Sequence, residues 1–137
     1  MLGDWPAAAR RREVHGGTPH RYLETAWPYL GDICFRLGDL AQARRAYERS
    51  LKLHPEGRLA NRARFGLGRT LAQDGDPDAA LKVLTALARG GGPDWSDKAW
   101  FQVGRIQAEK GRFAEAVEAF ETLERAAPRG AQVAERG

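Results

Sequence analysis

The chain repeats itself, and that constrains its fold more than any other feature. Gly31 aligns with Gly68 at an offset of 37, and Gly68 with Gly104 at 36. At the same offsets Gly38 meets Gly75 and Gly111, and Ala43 meets Ala80 and Ala116. Small residues recurring at a fixed period of this size point to a stacked array, in which each unit buries its apolar face only against its neighbours. Such an array presents a surface more readily than a reaction centre.

Within each period the apolar spacing is helical. Trp27, Leu30, Ile33, Cys34 and Leu37 recur at three- and four-residue steps over Thr25 to Leu37, predicting a helix with one buried face. Gly38-Asp39 breaks it. Leu40, Ala43, Ala46, Tyr47, Ser50 and Leu51 mark a second helix, stopped by Pro55. Leu59, Ala63, Leu67, Thr70 and Leu71 mark a third, broken at Gly75. Asp76-Pro77 opens a fourth, with Asp as N-cap and Pro where its missing N–H costs nothing; its stripe is Leu81, Leu84 and Leu87, ended by Gly90-Gly91-Gly92-Pro93. Ser96 is read as the cap of a fifth helix carrying Trp100, Val103, Gly104 and Ile106. Phe113, Ala116, Phe120 and Leu123 mark a sixth, ended by Pro128. No segment carries a strand signal, so the expected class is all-α.

These units resemble the tetratricopeptide repeat, whose pattern is Trp, two residues, Leu-Gly, two residues, Tyr, then Ala, three residues, Phe, then Pro, over about 34 residues. The first unit reads Trp27, Leu30-Gly31, Cys34 for the tyrosine, Ala43, Tyr47 for the Phe, and Pro55; the third reads Trp100, Val103-Gly104, Gln107, Ala116, Phe120, Pro128. The second is degenerate: Arg64 replaces the Trp, Leu67-Gly68 and Ala80 hold, Leu84 replaces the Phe, and the closing Pro moves to Pro93. The resemblance implies a right-handed α-solenoid, with units at 23–57, 58–94 and 95–128. Its glycines would let paired helices approach closely, with Ala43, Ala80 and Ala116 opposite them. Residues 2–13 (LGDWPAAARRRE) align with 37–48 (LGDLAQARRAYE) at an offset of 35. Residues 1–22 are therefore read as the second helix of a preceding repeat plus a linker, and 129–137 as the start of a following helix. A fragment of a longer array is the expectation.

Composition sets the rest of the frame. A charged fraction of 29% against 42% hydrophobic residues suits a globular chain and not a disordered one. The net charge of +4 favours acidic partners without demanding nucleic acid; the run Arg10-Arg11-Arg12 reads as a solvated helix face. No apolar run has membrane-spanning length, and no signal peptide is visible, so the compartment is unknown and cytoplasmic only by default. The lone Cys34 falls in a core position. His15, His20 and His54 make no metal-ligand spacing. Asp74-Gly75-Asp76-Pro77-Asp78 alternates carboxylates as a calcium loop does, but Ala79 and Thr85 stand where glycine and a bidentate Glu are needed, so it reads as a turn. Gly66-Leu67-Gly68 lies in a helix and is packing. No nucleophile–base pair occurs, so no catalysis and no cofactor are expected.

In this family the first helix of each unit lines a concave face that commonly holds peptides. That implies a groove built from Thr25, Tyr29, Asp32 and Arg36, then Arg62, Phe65, Arg69 and Gln73, then Lys98, Phe101, Gln102, Arg105 and Glu109. Arg62, Arg69, Lys98 and Arg105 against Asp32 and Glu109 would leave it positive, with Phe65 and Phe101 as apolar anchors. The expected role is a non-catalytic scaffold for an extended acidic and apolar peptide, with self-assembly through incomplete terminal repeats as the alternative. The carboxylate clamp that grips chaperone tails in one subfamily is excluded: its places hold Pro28, Asp32, Gly66, Lys98 and Gln102, of which only Lys98 matches.

Overall fold

The computed structural model describes residues 21–126. Six helices follow one another: α1 (Arg21–Arg36), α2 (Leu40–Leu53), α3 (Ala60–Gln73), α4 (Pro77–Gly90), α5 (Pro93–Glu109) and α6 (Phe113–Ala126). There is no strand among the described residues, as the helical spacing predicts. The chain divides between Thr70 and Leu71 into two compact units. The readings of residues 2–14, of the Arg10–Arg12 run, of His15 and His20, and of Pro128 and 129–137 lie outside the described residues.

One hydrogen-bonded device makes the turns after α1, α3 and α5. Asp39 N–H reaches Cys34 O (2.9 Å), Asp76 N–H reaches Leu71 O (2.9 Å), and Arg112 N–H reaches Gln107 O (2.8 Å). Each closes the preceding helix by bonding back to one of its last free carbonyls. The residue before each donor is Gly38, Gly75 or Gly111, at φ +81°, +86° and +78°, a left-handed conformation that L side chains rarely adopt. The next helix then starts at once. Asp39 accepts from Gln42 N–H (3.1 Å) and Asp76 from Ala79 N–H (3.2 Å), with Pro77 at the first helical position. The Asp74–Asp78 segment is thus a turn and a cap, as its spacing predicts.

In the first unit the core gathers Trp27, Cys34, Ala43, Ala46, Tyr47, Ala60, Ala63 and Leu67, with Ser50 and Thr70. Tyr47 is its pivot. A Cβ added at Gly31 would lie 2.5 Å from the Tyr47 ring, and one at Gly66 would also collide with it. The ring from α2 therefore lies against the bare backbone of α1 and of α3. In the second unit Leu81, Leu84, Leu87, Ala99, Val103, Ile106, Ala116 and Ala119 are buried, and a Cβ added at Gly104 would lie 2.6 Å from the Phe120 ring, as one at Gly31 would collide with Tyr47. Burying side chains of this kind contributes roughly 1.5–3 kcal/mol each.

Five expectations are corrected. Ile33 and Leu37 are exposed, although they continue the periodicity of Trp27 and Cys34. Phe113 is likewise exposed, on a face of α6 shared with Val117 and Phe120. Ser96 does not cap α5: the helix begins at Pro93 behind Gly92, and Ser96 Oγ, inside it, donates to the carbonyl of Ala88 in the last turn of α4 (2.5 Å). Against the glycines lie the Tyr47 and Phe120 rings, where the sequence pattern places Ala43 and Ala116; the backbone can then approach an aromatic face. Helix α1 also starts earlier than expected and runs through a buried Pro28, whose missing N–H deprives the Glu24 carbonyl of its usual donor.

Candidate interaction surface

In the first unit the expected groove residues of α1 and α3 meet one another. Asp32, three residues after Tyr29 and so on the same side of α1, accepts on Oδ2 from Arg62 Nε (3.0 Å) and Nη2 (2.7 Å). Its Oδ1 accepts from the Tyr47 hydroxyl. The Arg62 guanidinium lies over the Tyr29 ring, 4.6 Å from its centroid. Asp32 holds the Arg62 guanidinium even more firmly protonated than usual, through that hydrogen bond first. Burial, and then the bond to Asp32 and its charge, push the Tyr47 hydroxyl far above the ordinary tyrosine range.

Two turns further along α3, Arg69 lies over Phe35 at 4.6 Å and Phe65 at 5.8 Å. No carboxylate among the described residues pairs with it, and its side chain is exposed. Thr25 accepts from Arg58 Nη2 (3.2 Å), beside the bond from Arg58 N–H to Glu24 (3.1 Å) that ties the start of α3 to α1. Arg36 and Gln73 are exposed at the ends of their helices. Arg64, in the place of the repeat tryptophan, donates to Asn61 and to the Pro55 carbonyl (2.7 Å), so it braces the loop before α3.

In the second unit the expected residues cluster on α5. Arg105 donates through Nε and Nη2 to Gln102 Oε1 (3.2 and 2.7 Å) and through Nη1 to Glu109 (2.7 Å). Phe101, 48% exposed, packs on Phe120 with centroids 6.0 Å apart. Lys98 lies over the Trp95 ring at 4.7 Å. Each carboxylate expected to oppose the cations is therefore already bonded to one of them: Asp32 to Arg62, Glu109 to Arg105. Arg69 and Lys98 are left resting on aromatic rings.

Sequence reasoning missed Tyr47, Phe35, Trp95 and Phe120 as parts of these surfaces. Only Tyr47 and Phe120 had a signal, the aromatic place they share in the repeat. Cys34 is fully buried, and burial followed by the Asp39 charge raises its thiol pKa, away from nucleophilic character. The described residues contain no group of His, Cys, Asp and Glu arranged to hold a metal ion. No helix among them is long and apolar enough to cross a membrane.

Comparison with known families agrees with this geometry. Tetratricopeptide repeat profiles match residues 30–94 and residues 97–129. No curated protein matches the chain significantly. Repeats of this kind generally mediate protein–protein interaction and typically serve as non-catalytic scaffolds. With paired helices, glycine–aromatic contacts and two matched segments in hand, the chain belongs to the tetratricopeptide repeat family.

Proposed function

We propose that the chain is a non-catalytic scaffold that takes an extended segment of a partner protein along the exposed residues of α1 and α3 in the first unit. The partner segment carries acidic and apolar side chains. The observation that carries this reading is Arg69: an exposed guanidinium lying over Phe35 and Phe65, with no acidic partner among the described residues. Its ring contacts fix its plane while its N–H groups remain available to a carboxylate. Aromatic and arginine side chains together are the types that dominate protein interfaces. Arg62 and Arg105 serve differently, since Asp32 and Glu109 already satisfy part of their donor sets.

The test is a screen of acidic–apolar peptides against the wild type and Arg69→Ala. Loss of a charge-assisted contact should weaken the selected peptides about tenfold or more. Arg112→Ala, whose arginine is exposed and pairs with Asp78, should leave them unchanged. Equal binding by Arg69→Ala and the wild type would remove the basis of the proposal.

A further inference from the structure

One place in the repeat changes sign along the chain. Asp32, Arg69 and Arg105 align at offsets of 37 and 36, so α1 carries a carboxylate where α3 and α5 carry a guanidinium. In α3 that guanidinium is exposed and lies on the Phe35 and Phe65 rings. In α1 the carboxylate at the same place is bonded to Arg62 of α3. The first unit thus holds two arginines two turns apart on α3, each lying on an aromatic ring supplied by α1. Only the first, Arg62, has its charge cancelled by a carboxylate among the described residues.

That cancellation is fixed from the core. Both oxygens of Asp32 are engaged: Oδ2 accepts from Arg62 Nε (3.0 Å) and Nη2 (2.7 Å), and Oδ1 accepts from the Tyr47 hydroxyl. Tyr47 is 2% exposed, and its ring leaves no room for a Cβ at Gly31 or Gly66. Asp32 therefore cannot swing aside for an incoming carboxylate without leaving a buried hydroxyl short of its acceptor. If it stays, a ligand carboxylate brought to Arg62 meets it there, and two carboxylates sharing one guanidinium repel each other. Arg69 imposes no such penalty, because the groups beside it are rings.

We infer that Asp32 sets the specificity of this surface: it reserves the first unit for segments that bring one carboxylate, to Arg69, and disfavours segments that bring a second to Arg62. The inference rests on the peptide-binding reading above and states which acidic segments satisfy it. The ligand residue facing Arg62 is uncharged, and apolar side chains beside the single acid rest on Phe35 and Phe65. With a neutral residue at position 32, the same surface would read two carboxylates. The seven residues from Arg62 to Arg69 rise about 10 Å along α3, a distance that about three residues of an extended segment span.

The probes are peptides selected on the wild-type full chain from a library of Glu, Gln, Leu and Phe. Each is made in two forms, with Gln or Glu at a second position two, three or four residues from its essential acid. Fluorescence anisotropy compares the two forms on the wild type, on Asp32→Asn, and on Asp32→Asn combined with Arg62→Gln. Asparagine removes the charge and keeps an oxygen for the Tyr47 hydroxyl. On the wild type the Glu form should bind no more tightly than the Gln form, a comparison that needs no variant. On Asp32→Asn the Glu form at the best spacing should bind about tenfold tighter or more. That gain should vanish in the double variant. A tighter Glu form on the wild type overturns the inference, as does the same preference on Asp32→Asn as on the wild type. So does a gain that persists without Arg62. Equal weakening of both forms by Asp32→Asn overturns it too, because Asp32 would then only hold the surface together. The underlying reading fails by a different outcome, in which no library peptide binds or the selected peptides bind Arg69→Ala as tightly as the wild type, and the inference falls with it.

Discussion

Position 32 in the first unit and position 105 in the second are the same place in the repeat, and they hold opposite charges. Beneath both lies the same apolar frame: an aromatic side chain from the next helix against a glycine, Tyr47 on Gly31 and Phe120 on Gly104. Only the first frame carries a hydroxyl. Tyr47 donates to Asp32, and Asp32 in turn holds Arg62 against Tyr29, so the polar surface of the first unit is bonded into its core. In the second unit Phe120 offers no such bond, and Arg105 finds its partners along its own helix, in Gln102 and Glu109. Pairs of the latter kind, solvated and spaced three or four residues apart, contribute a few tenths of a kcal/mol. One packing solution thus supports one surface coupled to its core and one independent of it.

The largest test of that contrast truncates the two rings. Tyr47 is 2% exposed and Phe120 is 37% exposed. Tyr47→Ala should cost about 3–5 kcal/mol, through the cavity between α1, α2 and α3. Phe120→Ala should cost only about 1–2 kcal/mol, because part of that ring is already in water. Urea unfolding followed by circular dichroism reads both. Equal losses would mean that the two frames are covered alike.

A smaller effect isolates the hydroxyl. Tyr47→Phe gives the first unit the chemistry of the second, at a cost of about 1–2 kcal/mol at neutral pH for the lost hydrogen bond to a carboxylate. The pKa of Tyr47 lies above its unfolded value of about 10, so its stabilisation is complete below that pH. It is lost as pH rises beyond that value, where the unfolded chain ionises and the folded one resists. Stability of the wild type should fall on the alkaline side, and Tyr47→Phe should flatten that fall. Thermal melts from pH 8 to 11 compare them; parallel curves would detach Tyr47 from the alkaline limb.

The smallest effect belongs to Asp78, an exposed carboxylate reached by Lys110 Nζ (3.1 Å) and Arg112 (3.6 Å). The Lys110 hydrogen bond, then its charge, lowers the Asp78 pKa. Its contribution is therefore present above the usual carboxylate range and lost as pH falls through it. Asp78→Asn should melt close to the wild type at neutral pH and respond less to added salt, measured by calorimetry at low and moderate ionic strength.

The helices, their turns and most of the buried residues were legible in the chain because they rest on local rules. Gly38, Gly75 and Gly111 mark helix ends through backbone conformation, and Asp39 and Asp76 mark helix starts through a bond three residues away. The expected surface was legible as a set of residues and not as a set of bonds. Asp32 finds Tyr47 fifteen residues away and Arg62 thirty away, and no spacing rule names either partner. Ser96 shows the same limit: a serine near a helix start reads as a cap, yet its hydroxyl serves the carbonyl of Ala88 in the helix before.

Sequence alone therefore determined the repeat, the helical class and the family, since a hydrophobic period and a glycine at a turn act over a few residues and recur wherever they are written. Only the tertiary structure decided which apolar positions are dry and which charges are already satisfied. Ile33 and Ile106 occupy one position of one pattern, and one is exposed while the other is buried. Periodicity tells which way a side chain points along its helix. Whether it leaves water depends on the neighbour that packs over it, and that neighbour is set by contacts a repeat away.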